Sequence, residues 1–475
     1  MTSTAGRSPM RRPIPAEIIH EIFSHLSSPL RPLEPHEFPW YLGQICSEWR
    51  AIFLSMQVYF WNEIEMERPE DKETRPWIRP YSPNDPKPEL PRTLRPDSPR
   101  TMAILAFFLD VARGAPFSFT LYKEKPYCSD QEVSCVQLVL SKLIDHSMQW
   151  ENVSMQLRLP EFLLLRSVKS RLPSLKILEL VLPYRHQMEE ANHDVTLLPQ
   201  MGDIFEDVPL LTHIKLRCLE DATWKFNWAS LTSIHLQSPD DLQTIITTLQ
   251  QTVNLKSLRI ASTFFDRDTA HTKTIKLPCL ENLSIEGASL LMILETPALK
   301  RLKIEFQHDS NNARKTVDFL LRSNCELSEL SLEGLQLGAH CQEILLHTPD
   351  LEELSLVHDR FLIRVVKWLA GSRMEAALPR ELPLRNLHSL SLYSYSDIDD
   401  RHLRTVQEMV TNRNSTVDTR IERLQKLDIE TNVKWVGSPS VLKSLESLCE
   451  GVGIDFEFTS WHPGPPKTLV VLRRF

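Results

Sequence analysis

Glycine is scarce in this chain, with 12 in 475 residues. Loops that cradle phosphate need glycine where the backbone approaches the ligand, and neither G-x-x-x-x-G-K-[ST] nor G-x-G-x-x-G occurs; Gly451-Val452-Gly453 stands alone. Nucleotide chemistry of those two kinds is therefore without a fingerprint. The eight cysteines are scattered and form no C-x-x-C pair. In a reducing compartment they read as small buried apolar side chains rather than metal ligands or disulfides. A G-x-S-x-G elbow and an H-E-x-x-H helix are also missing, and His340-Cys341 reads as a pair on an outer helix rather than a nucleophile and its base. No catalytic residue, cofactor or metal site is expected.

Positive charge and long apolar runs are lacking too. A net charge of −8 gives no broad attraction to nucleic acid or to an anionic membrane. The longest apolar stretch near the start, 102–109, ends at Asp110, far short of the about 20 residues that span a bilayer. The basic opening MTSTAGRSPMRRPIPAE is followed by no apolar core of signal-peptide length, so the expected location is cytoplasm or nucleus, with no membrane partner.

What the chain does have is a repeat. From about residue 150, one pattern recurs as LKILEL, LTHIKL, LTSIHL, LKSLRI, LENLSI, LKRLKI, LSELSL, LEELSL, LHSLSL and LQKLDI. The leading leucines are 175, 211, 231, 255, 280, 299, 327, 351, 387 and 424. Apolar residues two apart, such as Leu354 and Leu356, point to one side of a strand, while Glu353, Ser355 and Val357 point to the other. One such strand cannot bury its apolar side alone, but a stack of parallel neighbours can. Between the copies, 241–251, 313–323, 341–348 and 361–370 carry helical periodicity and read as an outer layer. PFSFTL (116–121), WENVSMQL (150–157) and IDFEF (454–458) extend the array as weaker copies.

The pattern resembles leucine-rich repeats. Of the ten positions where that family places Asn or Cys after the strand, Asn432 alone complies, so irregular turns are expected.

Two amphipathic stretches precede the array. IPAEIIHEIFSHL (14–26) places Ile18, Ile19, Ile22, Phe23 and Leu26 at helical spacing, with Pro15 suited to a helix start and Glu17 to its dipole. WYLGQICSEWRAIFLS (40–55) does the same with Leu42, Ile45, Cys46, Trp49, Ile52 and Phe53. Taken by themselves, these helices are a cap over the end of the array. Nine prolines among charged residues over 67–100 then read as a disordered linker, the alternative being a long loop held against the edge of the array by Trp77 and Tyr81.

IPAEIIHEIF resembles the opening of an F-box, and ICSEWRAIFLS its second half; the tail SMQVYFW departs from the usual S-x-P-x-L-W. The whole is similar to fungal F-box proteins with leucine-rich repeats. That resemblance implies an α/β solenoid over 101–475, an irregular leucine-rich repeat horseshoe of parallel strands with a helical convex layer. A small all-α F-box over 10–62 would precede it. The implied function is substrate recognition for a Skp-cullin-F-box ubiquitin ligase, whose other subunits do the chemistry; the alternative is a ligase-independent interaction scaffold. Pro15, Ile18, Ile19, Ile22, Leu42, Cys46, Trp49 and Ile52 would dock a Skp-type adaptor, with some of them filling the module's own core instead. An unknown protein substrate would lie on the exposed strand positions. Lys215, Arg259, Arg301 and Lys303 lean basic there, as a phosphorylated peptide would require, with Tyr393 nearby.

Overall fold

Most of the recurring hexads begin with a leucine in a tight turn. The N–H groups of Leu211, Leu231, Leu280, Leu299, Leu351 and Leu387 each donate to the carbonyl three residues earlier. All ten leading leucines are buried, and a short strand starts two residues after each. The computed structural model describes residues 14–26, 39–56, 60–66, 99–112, 114–121, 130–182, 201–217, 224–237, 242–261, 274–306, 312–334, 337–358, 363–371, 383–415, 422–431 and 437–460. The linker read over 67–100 therefore lies outside the described residues except for 99 and 100, as do eight of the ten turn positions after the strands.

The chain divides into two compact units, Met1–Asn227 and Trp228–Phe475. In the first, helices α1 (Ala16–Ser24) and α2 (Ser47–Ser55) are followed by strand β1 (Glu63–Glu65) and helix α3 (Pro99–Ala112). Then come β2 (Phe117–Leu121), α4 (Asp130–Asp145), β3 (Trp150–Gln156), α5 (Leu159–Leu164), β4 (Ile177–Val181) and β5 (His213–Arg217). The five strands pair in chain order and every pair is parallel. Parallel neighbours require a crossover between them, which the helices and turns supply.

The second unit repeats this plan. Its sheet runs β6 (Ser233–Gln237), β7 (Ser257–Ala261), β9 (Asn282–Glu286), β11 (Arg301–Glu305), β12 (Glu329–Glu333), β13 (Glu353–His358), β14 (Ser389–Ser394), β15 (Lys426–Thr431) and β16 (Asp455–Ser460), again all parallel. A separate parallel pair, β8 (Ile275–Lys276) and β10 (Leu294–Glu295), which the hexad pattern does not contain, sits between the main strands in sequence. The return segments hold α6 (Leu242–Leu249), α7 (Asn312–Ser323), α8 (Leu337–Leu346), α9 (Ile363–Leu369), α10 (Asp400–Ser415) and α11 (Pro439–Val452). From α7 onward, successive helices pack side by side. This is an α/β fold with parallel sheets not closed into a barrel.

Burial follows the alternation. On β6, β9 and β12 the second and fourth residues are buried and the other three are not. Equivalent residues stand in register, so Leu330, Leu354, Leu390 and Leu427 make one apolar rung, and Leu332, Leu356, Leu392 and Ile429 the next. Backbone bonding continues past the strand ends: the N–H of Leu182, Gly287, Gly334 and Tyr395 donates to Arg217, Glu305, Val357 and His358 respectively. The sheet ladder itself thus satisfies backbone groups that a side-chain asparagine ladder would otherwise serve. Gly334, at φ 135°, is the one residue type that fits there, because a Cβ would strike the Phe306 carbonyl.

Candidate protein-interaction surfaces

The two N-terminal helices are joined to the first sheet by aromatic packing. Phe23 meets Trp49, Phe53 and Phe60 edge-on, with ring centroids 5.1, 6.4 and 6.3 Å apart. Phe53 in turn meets Trp61, and Trp61 meets Phe107 and Phe108 of α3. Phe60 and Trp61 belong to the tail that departs from the F-box pattern, yet they are among the largest fully buried side chains. The helices, this tail and β1 therefore form one packed body with α3 and β2.

Each predicted docking residue has a definite place. Ile19, Leu42 and Ile52 are buried and serve as interior side chains rather than surface. Cys46 is exposed and caps α2, its sulfur accepting from the Trp49 N–H at 3.5 Å. Trp49 is half-buried on Phe23. Pro15 is exposed and opens α1. Ile18 and Ile22 are 51% and 40% exposed and lie in a stripe with Ile14 and Leu26, at 47% and 40%. Tyr41, Ile45 and Leu54 add further exposed apolar area from the neighbouring turn and α2.

α1 thus carries two adjoining apolar stripes, one buried through Ile19 and Phe23, the other open to solvent at Ile18 and Ile22 and extended beyond the helix ends by exposed Ile14 and Leu26. The second stripe was legible in the i, i+4 spacing, but Tyr41 and Leu54 carry no such signal. Exposed apolar side chains gathered in this way make a candidate docking surface.

The strands' outward face is the other candidate. Parallel sheets ordinarily have both faces covered, but here the middle outward positions of the strands are half-buried or exposed from Glu179 to Glu457. In the first unit Lys215 pairs with Glu179 on the adjacent strand. In the second unit, Arg259, Ser284, Lys303, Ser331, Ser355, Ser391, Asp428 and Glu457 occupy equivalent middle positions in register. A groove of about 430 Å³ opens over this row, from Ser257 to Ser391.

The basic lean expected there is met by carboxylates. Arg301 pairs with Glu329 and Lys303 with Glu333, each at 3.6 Å, and Arg301 also donates to Asn282. Lys426 pairs with Asp428 at 2.9 Å, and Asp428 also accepts from Ser391 at 3.1 Å. Glu286, Glu305 and Glu333 stand in register on three adjacent strands. Partial burial, then the neighbouring carboxylates, raise the Glu286 and Glu305 carboxyls above the ordinary range, against the opposing pull of Arg259 and Lys303. The same row continues through Val357 and Tyr393 to Glu430. Tyr393 packs edge-on against Tyr395 at 4.8 Å, and burial followed by Tyr395, Glu430 and Glu333 raises its hydroxyl.

Burial pushes the Cys341 thiol up to about 12 and those of Cys325 and Cys449 up to about 11, so at neutral pH these three are packing atoms rather than nucleophiles. Among the described residues no group of His, Cys, Asp and Glu is arranged to hold a metal ion, and no helix is long and apolar enough to cross a membrane. No family model matches the chain, and a search of curated proteins finds no relative.

Proposed function

We propose that this chain is a substrate receptor of a Skp-cullin-F-box ubiquitin ligase, with α1 and α2 as its F-box and the strand-and-return array as irregular leucine-rich repeats forming a solenoid. The observation that carries the reading is the solvent-facing pair Ile18 and Ile22 on α1, flanked by exposed Ile14 before the helix and Leu26 after it, while the adjoining stripe through Ile19 and Phe23 is already buried. A second apolar stripe has no role within α1's own packing, and it lies on the helix that resembles the F-box opening. The docking set narrows to Pro15, Ile18, Ile22, Cys46 and the edge of Trp49, joined by Ile14, Leu26, Tyr41, Ile45 and Leu54. The substrate would lie on the open outward face of the strands, and no catalytic group is required of this chain.

The test is affinity purification of the full chain beside an Ile18→Asp/Ile22→Asp variant. Recovery of a Skp-type adaptor and a cullin with the native chain, and of neither with the variant, supports the reading. Adaptor without cullin points to a ligase-independent scaffold. Absence of adaptor from both samples removes the F-box assignment.

A further inference from the structure

We infer that the outward face of the second unit's sheet binds a positively charged, extended protein segment, with two Lys or Arg side chains flanking an apolar residue. This rests on the proposal that the open strand face receives a protein, and it names the chemistry of that partner.

The charge count decides the sign. Across the outward positions of β7, β9 and β11 to β16, four cations are present: Arg259, Arg301, Lys303 and Lys426. Against them stand Glu286, Glu305, Glu329, Glu333 and Glu353, then Asp428, Glu430, Asp455 and Glu457 toward the C-terminal edge, a net of −5. Arg301, Lys303 and Lys426 are already engaged with carboxylates. A phosphorylated ligand would have to break those pairs and enter a field of its own sign, whereas a cationic one adds attraction and steering.

The pattern along one row gives the spacing. Glu333, Val357, Tyr393 and Glu430 follow one another in register across β12 to β15. Three inter-strand steps separate the two carboxylates, about 14 Å, which an extended peptide covers in about four residues. A cation at each end would meet Glu333 with Glu305 behind it on one side and Glu430 on the other. The residue between them would meet Val357 and the Tyr393–Tyr395 pair, whose rings also accept a cationic head group. Beside that row, Ser331, Ser355 and Ser391 offer hydroxyls to the peptide backbone.

The experiment is fluorescence anisotropy of the full chain with the labelled peptide Gly-Arg-Ser-Leu-Ser-Arg-Gly and with the same peptide carrying phosphoserine in place of both arginines. Saturable binding of the arginine peptide is expected, weakening at least fivefold between about 50 and 300 mM salt, with none for the phosphopeptide. Glu305→Gln/Glu333→Gln/Glu430→Gln should weaken it at least tenfold, as should Tyr393→Ser alone. Asp318→Asn/Glu326→Gln/Asp350→Asn, which removes the same charge away from this face, should leave it unchanged. No binding of the arginine peptide up to millimolar concentration, equal loss in both triple variants, or tighter binding of the phosphopeptide would overturn the inference. Adaptor recovery is read independently. Peptide binding without adaptor leaves this inference standing and removes the ligase reading, and the reverse result does the opposite.

Discussion

Leu356 and Ser355 are neighbours on β13, but alternation sends them to opposite sides of the sheet, so replacing each with alanine tests the whole register. The Leu356 side chain is buried between Leu332 and Leu392 in one apolar rung, and both partners are buried as well. Truncation removes three carbons, worth roughly 2.4 kcal/mol at about 0.8 kcal/mol per buried CH2 group. The rung's neighbours are held by their own strands and cannot collapse fully into the space, so a cavity term brings the expected cost to about 3–4 kcal/mol. Ser355→Ala deletes one half-buried outward hydroxyl and should cost less than about 0.5 kcal/mol. Hydrogen exchange read by mass spectrometry suits the question because it reports opening segment by segment, and a chain of two units need not unfold in one transition. Leu356→Ala should lower protection over β12 to β14 by two to three orders of magnitude while Ser355→Ala leaves it nearly unchanged. Equal effects of the two, or a larger one for Ser355→Ala, would refute the assigned faces, since a one-residue slip exchanges them.

Four further outcomes follow from named contacts. Gly334→Ala should destabilise by more than about 1 kcal/mol in chemical denaturation, because the new Cβ meets backbone that cannot step aside; an unchanged midpoint would contradict that geometry. Glu305→Gln should stabilise at neutral pH by at most about 0.5 kcal/mol, because Glu305 is exposed and solvent screens the repulsion from its neighbours. The raised Glu305 carboxyl favours folding below its ordinary value of 4.5 and loses that contribution as pH rises, so the variant's gain should vanish below pH 4.5 in thermal melts. Ile19→Asp should unfold the helical region, whereas Ile18→Asp/Ile22→Asp should retain native circular dichroism, and equal folding defects would place both faces of α1 in the interior. Arg413 is buried, its guanidinium pushed down to about 10, and it donates to the carbonyls of Pro383 and Leu384 at 2.9 and 2.7 Å. Arg413→Ala should cost about 3 kcal/mol in denaturant unfolding, and Arg413→Lys should recover less than half of that for want of a two-pronged donor.

The strands were the most legible part because two-residue alternation is a local property: all ten hexads, and the three weaker copies, coincide with strands in the structure. β1 was missed because Glu63-Ile64-Glu65 holds one apolar residue and takes its place only by pairing with β2. The β8–β10 pair escaped for the same reason, at two residues per strand. Helix α10 is obscured in the sequence because polar residues dominate it, whereas α11 carries the legible signals of Pro439 at its start and left-handed Gly453 at its end.

The candidate surfaces were legible to a different depth. Periodicity marks which residues of α1 are apolar, but it cannot say which apolar face is covered, and that depends on Phe60, Trp61 and α3 arriving from elsewhere in the chain. Likewise, the middle positions read along the repeats gave Arg259 and Lys303, and the flanking positions gave Arg301, Glu305, Glu329, Glu333 and Glu353, a mixed-charge surface whose pairings were not legible. Which cation meets which carboxylate emerges only when adjacent strands are in register, because the partner of each sits 28 or 30 residues away in sequence. A surface built from a repeat therefore has a net charge that alternation supplies position by position and a pairing that only register supplies. The partner chemistry inferred for this face is basic because its lysines and Arg301 are engaged with carboxylates and the remaining acids outnumber the cations.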